Sequence, residues 1–289
     1  MLHGGLGNQL FQWAYGHQLA EQNSRIEMCF PRKLYDLEHA THFLGDFLTN
    51  CGHLKFSQME LPRSKVIRAF RDPSNSRYVF QNSNYFLHNT SLNPFLKYQD
   101  PPKGTSKYQL GYYQNWMNVY PLRNDLKSEL WSALNRRNRT LHEIDLEGAE
   151  VIHIRQGDTT TEKNLQSIGV LDSNYYKSLI KSTNRTRIAV TDDIEGARRI
   201  LRGLPVDTIF GPKDFDVYQT LGIMARSSLL ITANSTLSWW GGFLSSDAGG
   251  KVIIPNPFFR NLPKPPLEAF NYPGFGIHQS SFIESFSGR

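Results

Sequence analysis

Val151-Ile152-His153-Ile154-Arg155-Gln156-Gly157-Asp158 begins as an apolar run around one histidine and ends, within six residues, on an imidazole, a guanidinium and a carboxylate. A short β-rich run that stops on charged groups is the signature of a buried parallel strand leaving its sheet, because both faces are covered and only the end meets solvent. The pattern recurs downstream. Residues 188–190, 208–210, 229–231 and 252–254 are short and apolar, and helix-length segments at 175–180, 194–201, 217–225 and 239–244 separate them. Five strands alternating with helices predict an α/β, doubly wound parallel sheet in the second half of the chain. Ligands of such a sheet bind beyond the carboxyl ends of its strands.

Three strand ends carry chemistry. At the first, Arg155 has the planar fork that grips a diphosphate, and Asp158 is placed to orient it or to act as a base. The plainer alternative makes His153 a core residue and Arg155 with Asp158 a local ion pair. At the second, Val190-Thr191-Asp192-Asp193 opens a helix. One carboxylate suits an N-cap worth about 1 kcal/mol. The other is free to accept from the two adjacent donors of a guanine edge or to bind magnesium. At the third, Thr232-Ala233-Asn234-Ser235-Thr236-Leu237-Ser238-Trp239-Trp240 sets hydroxyls and an amide before a helix, where phosphate binds readily. Here the rival is a Ser/Thr cap with both tryptophans in the core. Asp214-Phe215-Asp216 reads as a cap for the helix at 217.

The first half reads differently. Gly4-Gly5-Leu6-Gly7-Asn8-Gln9, followed by Leu10, Phe11, Ala14, Tyr15, Gln18 and Leu19, predicts a glycine turn feeding an amphipathic helix, and Met1-Leu2 before it is either a minimal strand or the remainder of one whose start is misassigned. The glycines lack the register of a dinucleotide fingerprint and instead let Asn8 and Gln9 approach a ligand. Residues 31–120 are aromatic-rich and poorly periodic, whereas apolar residues at 122, 126, 130, 131 and 134 keep helical spacing until a basic stretch at 135–140 ends it. The expected domains are 1–145 and 146–289.

With 39% hydrophobic and 20% charged residues among 289, the chain is a folded globular protein rather than a disordered one. Its formal charge of +6 suits anionic ligands, but no Lys/Arg run marks a nucleic-acid surface. Cys29 and Cys51 are too few for a disulfide framework and fit a reducing compartment. His17, His39, His42, His53, His88 and His142 lack metal-ligand spacing, so no metal site is expected. No run of 18 apolar residues occurs. The expected location is cytoplasmic or peripheral at an inner membrane, or the Golgi lumen if an anchor has been removed.

Taken together, Gly-Gly-Leu-Gly-Asn-Gln-Leu-Phe-Gln at the start, His-Ile-Arg-Gln-Gly-Asp, Thr-Asp-Asp and Asn-Ser-Thr-Leu-Ser-Trp-Trp resemble, in order and spacing, the family 11 α-1,2-fucosyltransferases over residues 4 to about 255. The resemblance implies a GT-B type fold, two Rossmann-like domains with parallel sheets and a cleft between them. It also implies GDP-fucose as donor, the 2-hydroxyl of a galactose on a glycan as acceptor, inversion, and neither metal nor cofactor. Transferred by motif, His153 and Arg155 contact the donor, with Arg155 on the diphosphate, and Asp193 or Asp192 reads guanine. Asn234, Ser235 and Thr236 lie at the diphosphate, and Gly7, Asn8 and Gln9 lie on the sugar side. The first domain is then the acceptor side, with residues 31–120 as its variable surface, and the second binds the GDP-sugar. One departure stands out: Gln156 occupies the place of a usual second arginine. It either marks a changed donor or a silent binder, or faces away from Arg155 because alternate residues of an extended segment point to opposite sides. The second is the preferred reading.

Overall fold

The apolar runs of the second half lie side by side in a computed structural model of the chain, which describes residues 2, 4–22, 26–31, 43–48, 54–59, 77–79, 85–89, 106–110, 112–137, 146, 148–157, 161–181, 184–261 and 269–284. The chain divides into two compact units, Met1–Ala133 and Leu134–Arg289.

In the first unit, the Gly4–Gly5 turn leads into α1 (Leu6–Gln22), as the spacing predicts. Leu2 is buried but belongs to no strand; Met1 lies outside the described residues. Helix α1 buries Leu6, Leu10, Phe11, Trp13 and Ala14 together with Gln9 and Gln12, so it is covered on nearly every side rather than along one stripe. β1 (Ile26–Pro31) pairs in parallel with β2 (Leu54–Met59), with α2 (Phe43–Phe47) between them in sequence. A Cβ on Gly16 of α1 would stand 2.7 Å from the Met28 sulfur, so a larger residue there would displace the Met28 side chain. β3 (Arg77–Val79), β4 (Tyr85–Asn89) and β5 (Ser106–Leu110) form a separate sheet, antiparallel then parallel. Two 3₁₀ turns, Trp116–Asn118 and Tyr120–Leu122, precede α3 (Arg123–Arg137).

The division falls inside α3, earlier than the expected 145/146. The last turn of the helix belongs with the second unit. Arg137 lies 4.0 Å over the Tyr218 ring, and Arg226 donates to the Asn135 side chain at 2.9 Å. Those two anchors sit in a polar stretch that carries no apolar periodicity.

The second unit is the predicted parallel sheet. β6 (Glu150–Ile154), β7 (Arg187–Thr191), β8 (Thr208–Phe210), β9 (Leu229–Ile231), β10 (Lys251–Asn256) and β11 (Gly276–Gln279) align in the order β8-β7-β6-β9-β10-β11, every pair parallel. The chain runs outward from the central β6 to one edge, then returns to build the other side from β9. That is the 3-2-1-4-5-6 order of a Rossmann sheet, and the direction reverses between β6 and β9. β6 and β7 are buried along their whole length, which is why they read as continuous apolar runs. The sixth strand, β11, was not predicted: Gly276-Ile277-His278-Gln279 is a mostly exposed edge with no apolar run to betray it.

Helices α4 (Glu162–Ser167), α5 (Ser173–Leu179), α6 (Ile194–Ile200), α7 (Val217–Ala225) and α8 (Thr236–Asp247) fill the connections. One core gathers Ile152, Ile154, Tyr175, Tyr176, Ala189 and Ile231. Trp239 and Trp240 are fully buried, and the Trp239 indole donates to the Phe270 carbonyl at 2.9 Å, so both tryptophans brace α8 from within. Asp216 caps α7 in a full capping box with Gln219, in line with the cap reading of that carboxylate. Among the described residues, no helix is long and apolar enough to cross a membrane.

At the amino end of the sheet the guanidinium of Arg187 is buried against Glu150, Nε to Oε2 at 2.9 Å, and also donates to the carbonyls of Pro205 and Lys181. This pair ties β6 to β7 at the end opposite the charged motifs. Removing one partner strands a buried charge, whereas replacing both with apolar residues does not. Arg187→Leu is therefore expected to lower unfolding free energy by about 3–5 kcal/mol, and the double variant Glu150→Leu/Arg187→Leu to recover most of it. Urea unfolding of the three proteins checks this, and a double variant no better than the single one would refute it.

Candidate active site

The carboxyl ends of β6 and β7 meet through one side chain. Asp192, the first residue after β7, accepts the Gln156 backbone N–H on Oδ1 at 2.8 Å and holds Arg155 Nη1 at 2.6 Å from Oδ2. The second contact is an ion pair off the hydrogen-bonding direction. The chain can pass this close because residue 157 is glycine: a Cβ there would stand 2.4 Å from Oδ2. Arg155 is thus oriented by Asp192. Asp158, expected in that role, lies outside the described residues.

Alternation along the strand sends neighbouring side chains opposite ways. Arg155 stays about one-third exposed, while Gln156 is 1% exposed and packs under the first turn of α6, where a Cβ on Gly196 would overlap its Oε1. Gln156 therefore faces away from the side that Arg155 serves.

His153 is 3% exposed on β6, and its Nδ1 has no hydrogen-bond partner among the described residues. Burial, reinforced by the positive charge of Arg155, pushes its pKa from 6.5 down to about 3, so the imidazole is neutral. Its backbone carbonyl accepts from the Tyr176 hydroxyl at 3.1 Å. Ile152 pairs with Ile231 across β6 and β9, so His153 and Thr232 follow side by side at the reversal point. Thr232 is fully buried, and its Oγ1 likewise lacks a partner among the described residues. Its position as the first residue past an apolar strand was legible, but its burial was not.

Asp193 caps α6: its Oδ1 accepts from Gly196 N at 3.1 Å, and its own N–H is held by the Thr191 hydroxyl at 3.1 Å. The capping alternative is realised at Asp193 and the ion pair at Asp192. Among the described residues, no group of three His, Cys, Asp or Glu side chains is placed to hold a metal.

At the third strand end the expected residues divide. Asn234 is 4% exposed and donates to the carbonyls of Ile168 and Gly169 at 3.1 and 3.0 Å, so its amide nitrogen is committed to anchoring a loop rather than to a ligand. Ser235 is the N-cap residue of α8, yet its side chain makes no capping bond. Ser235 and Thr236 are both partly exposed. Thr161, Asp172, Asp193 and Asp216 cap α4, α5, α6 and α7. Helix α8 alone among these five starts without a side-chain cap, which keeps its positive end available to an anion.

In the first unit, Gln9 is 1% exposed and internally engaged: Nε2 donates to the Gly4 carbonyl at 2.8 Å, and Oε1 accepts from Leu44 N at 3.4 Å. Gly7 is buried, and of the three expected sugar-side residues only Asn8 is partly exposed. Its Oδ1 accepts from Gln114 Nε2 at 2.7 Å. Sequence reasoning missed Gln114, which sits in an aromatic-polar segment without periodicity.

The sequence model described as Glycosyl transferase family 11 matches residues 1–261. An α-1,2-colitosyltransferase of Escherichia coli is 25% identical over 287 residues, covering 90% of this chain and 91% of that protein. The O-antigen biosynthesis glycosyltransferase WbnK of Escherichia coli is 27% identical over 306 residues, covering 92% and 96%. Among solved structures, the E. coli heptosyltransferase WaaC with ADP aligns over 96% of this chain and 91% of that one, at 8% identity and a TM-score of 0.47.

A histidine held neutral by the fold makes stability depend on pH. Its folded pKa of about 3 lies below its unfolded value near 6.5, so the unfolded chain takes up a proton that the folded chain does not. The stability is complete above about pH 6.5 and is lost as pH falls toward 3, by at most about 1.4 kcal/mol per pH unit from this group. Denaturant titrations between pH 7 and 4.5 should show His153→Leu with a shallower decline than the unsubstituted protein. Parallel slopes would contradict the buried neutral state.

Proposed function

Because the chain belongs to glycosyl transferase family 11, we propose that it transfers L-fucose, or a closely similar deoxyhexose, from a GDP-sugar to the 2-hydroxyl of a galactose on an acceptor glycan, with inversion and without a metal. The observation that carries the reading is the Arg155–Asp192 pair at the carboxyl ends of β6 and β7, with α8 starting without a side-chain cap after β9, the strand on the other side of β6.

A galactose hydroxyl attacks the anomeric carbon, a new C–O bond forms, and the bond to the β-phosphate breaks with its electron pair leaving on GDP. The negative charge that grows on the diphosphate is met by the Arg155 fork and by the leading amides of α8 with the Ser235 and Thr236 hydroxyls. The hydroxyl proton passes to a base, for which Asp158 is the candidate. His153 stays neutral beside Arg155. Asp192 is engaged by Arg155 and Gln156, so Asp193, which also caps the helix through Oδ1, is the carboxylate assigned to guanine in this reading. Asn8 serves the sugar side.

A second reading keeps the reaction and changes the deoxy sugar. It is favoured by the colitose named for one relative. Incubation with GDP-fucose, GDP-colitose and GDP-mannose, each with galactose-terminated acceptors and with or without EDTA, separates the readings through released GDP and the acceptor's mass gain. Transfer should survive EDTA. Binding of GDP without transfer from any donor would sink the transferase reading in favour of a silent binder.

Arg155→Ala should lower kcat/KM by about 10²–10³, the cost of removing one group that stabilises developing charge. A loss of only a few-fold would refute the leaving-group role. Asp193→Asn should erode the preference for GDP over ADP in competition binding, and an unchanged preference would remove that carboxylate from guanine recognition.

A further inference from the structure

The Gln114–Asn8 hydrogen bond joins residues 106 apart in sequence, and both ends of it are fixed by costly or tightly packed backbone. On one side, Tyr113 adopts a left-handed φ of 52°, the sole positive φ of a non-glycine among the described residues. Such a conformation costs about 1–3 kcal/mol and persists only where its surroundings over-determine it. Here the Tyr113 ring stacks on Tyr15 with centroids 3.8 Å apart, and its carbonyl accepts from Asn118 Nδ2 at 3.1 Å and from Asn115 N at 2.7 Å. The Asn115 side chain in turn accepts from Met117 N at 3.0 Å, starting the 3₁₀ turn. The result turns the 6%-exposed Gln114 amide onto α1.

On the other side stands the glycine turn. Gly4 has φ of 77°, and a Cβ on it would lie 2.7 Å from Asn8 Nδ2 and 3.3 Å from the Tyr112 ring. Asn8 Oδ1 is thus engaged by Gln114, and the missing side chain at Gly4 leaves room for Nδ2. An asparagine amide that can rotate by half a turn exchanges a donor for an acceptor; this one is held in a single sense.

We infer that Gln114 is a positioning residue that sets the polarity of the Asn8 amide, so that the first turn of α1 offers the sugar a donor where a flipped amide would offer an acceptor. The inference rests on the proposed sugar-side role of Asn8. A purely structural clasp between α1 and the segment at 112–115 would make the same bond but would affect stability alone.

The test is a double-mutant cycle on transfer from GDP-fucose, or from whichever GDP-sugar proves active. Gln114→Glu keeps the shape but cannot donate as a carboxylate, so Asn8 must turn its amide to pair with it. Gln114→Met keeps the bulk and drops the bond, and is read in parallel in case the buried charge unfolds the first variant. Asn8→Ala should lower kcat/KM for the acceptor about tenfold or more while the donor KM stays within about twofold. Each Gln114 variant should cost about tenfold alone and nothing further in the Asn8→Ala background. Losses that multiply in the double variants, or Gln114 variants that lower the thermal midpoint and leave kcat/KM unchanged, would overturn the positioning role. An Asn8→Ala protein with full activity would instead remove the sugar-side reading beneath it, while transfer itself still stood.

Discussion

A single carboxylate fixes the geometry at the carboxyl end of the second unit's sheet. Asp192 grips the Gln156 N–H with one oxygen and the Arg155 guanidinium with the other, so the ends of β6 and β7 cannot splay. The close pass of Gly157 against the same carboxylate closes the arrangement. An ion pair with both members partly exposed contributes little to stability, about 0–1 kcal/mol. Its consequence is directional: a flexible arginine is held on one side of the strand, and a planar fork held in place loses less freedom when it meets a phosphate.

Around that pair the fold distributes charge unevenly. The imidazole of His153 is next to a guanidinium in a buried setting, and both factors favour its neutral form, so Arg155 remains the one cation on that strand end. Across the reversal point, α8 begins without the side-chain cap that four neighbouring helices carry. A helix of twelve residues presents roughly half a positive charge at its start. An arginine and a helix start without a side-chain cap thus stand at neighbouring strand ends of one Rossmann sheet.

The sequence announced the second unit well because its strands are covered on both faces. β6 and β7 show as short, mostly apolar runs, and the order of motifs at their ends survives as written. β11 escaped because an exposed edge strand need not be apolar, and the helix boundary near 134 escaped because its anchors, Asn135 and Arg137, act through a polar bond and a ring contact. In the site, residue types were legible and their employment was not. Asn234 and Gln9 look like ligand-binding amides in a string of letters, yet their partners are carbonyl and N–H groups of Ile168, Gly169, Gly4 and Leu44. Only folding reveals which amide is engaged by the chain itself. Gln114 was invisible for the converse reason, since its significance lies in a contact with Asn8 that no local spacing encodes.

Position 156 shows how the same logic bears on the chain's departure from its family pattern. The side chain there is enclosed, and its amide oxygen lies against Gly196 in the first turn of α6. That turn is the positive end of a helix, and Asp193 caps it. A second arginine, buried there, would bring a full cation against the helix start and require a partner to offset its desolvation. Glutamine fills the position without that charge. The substitution therefore acts on the surroundings of Asp193 and leaves the Arg155–Asp192 pair on the other side of the strand intact.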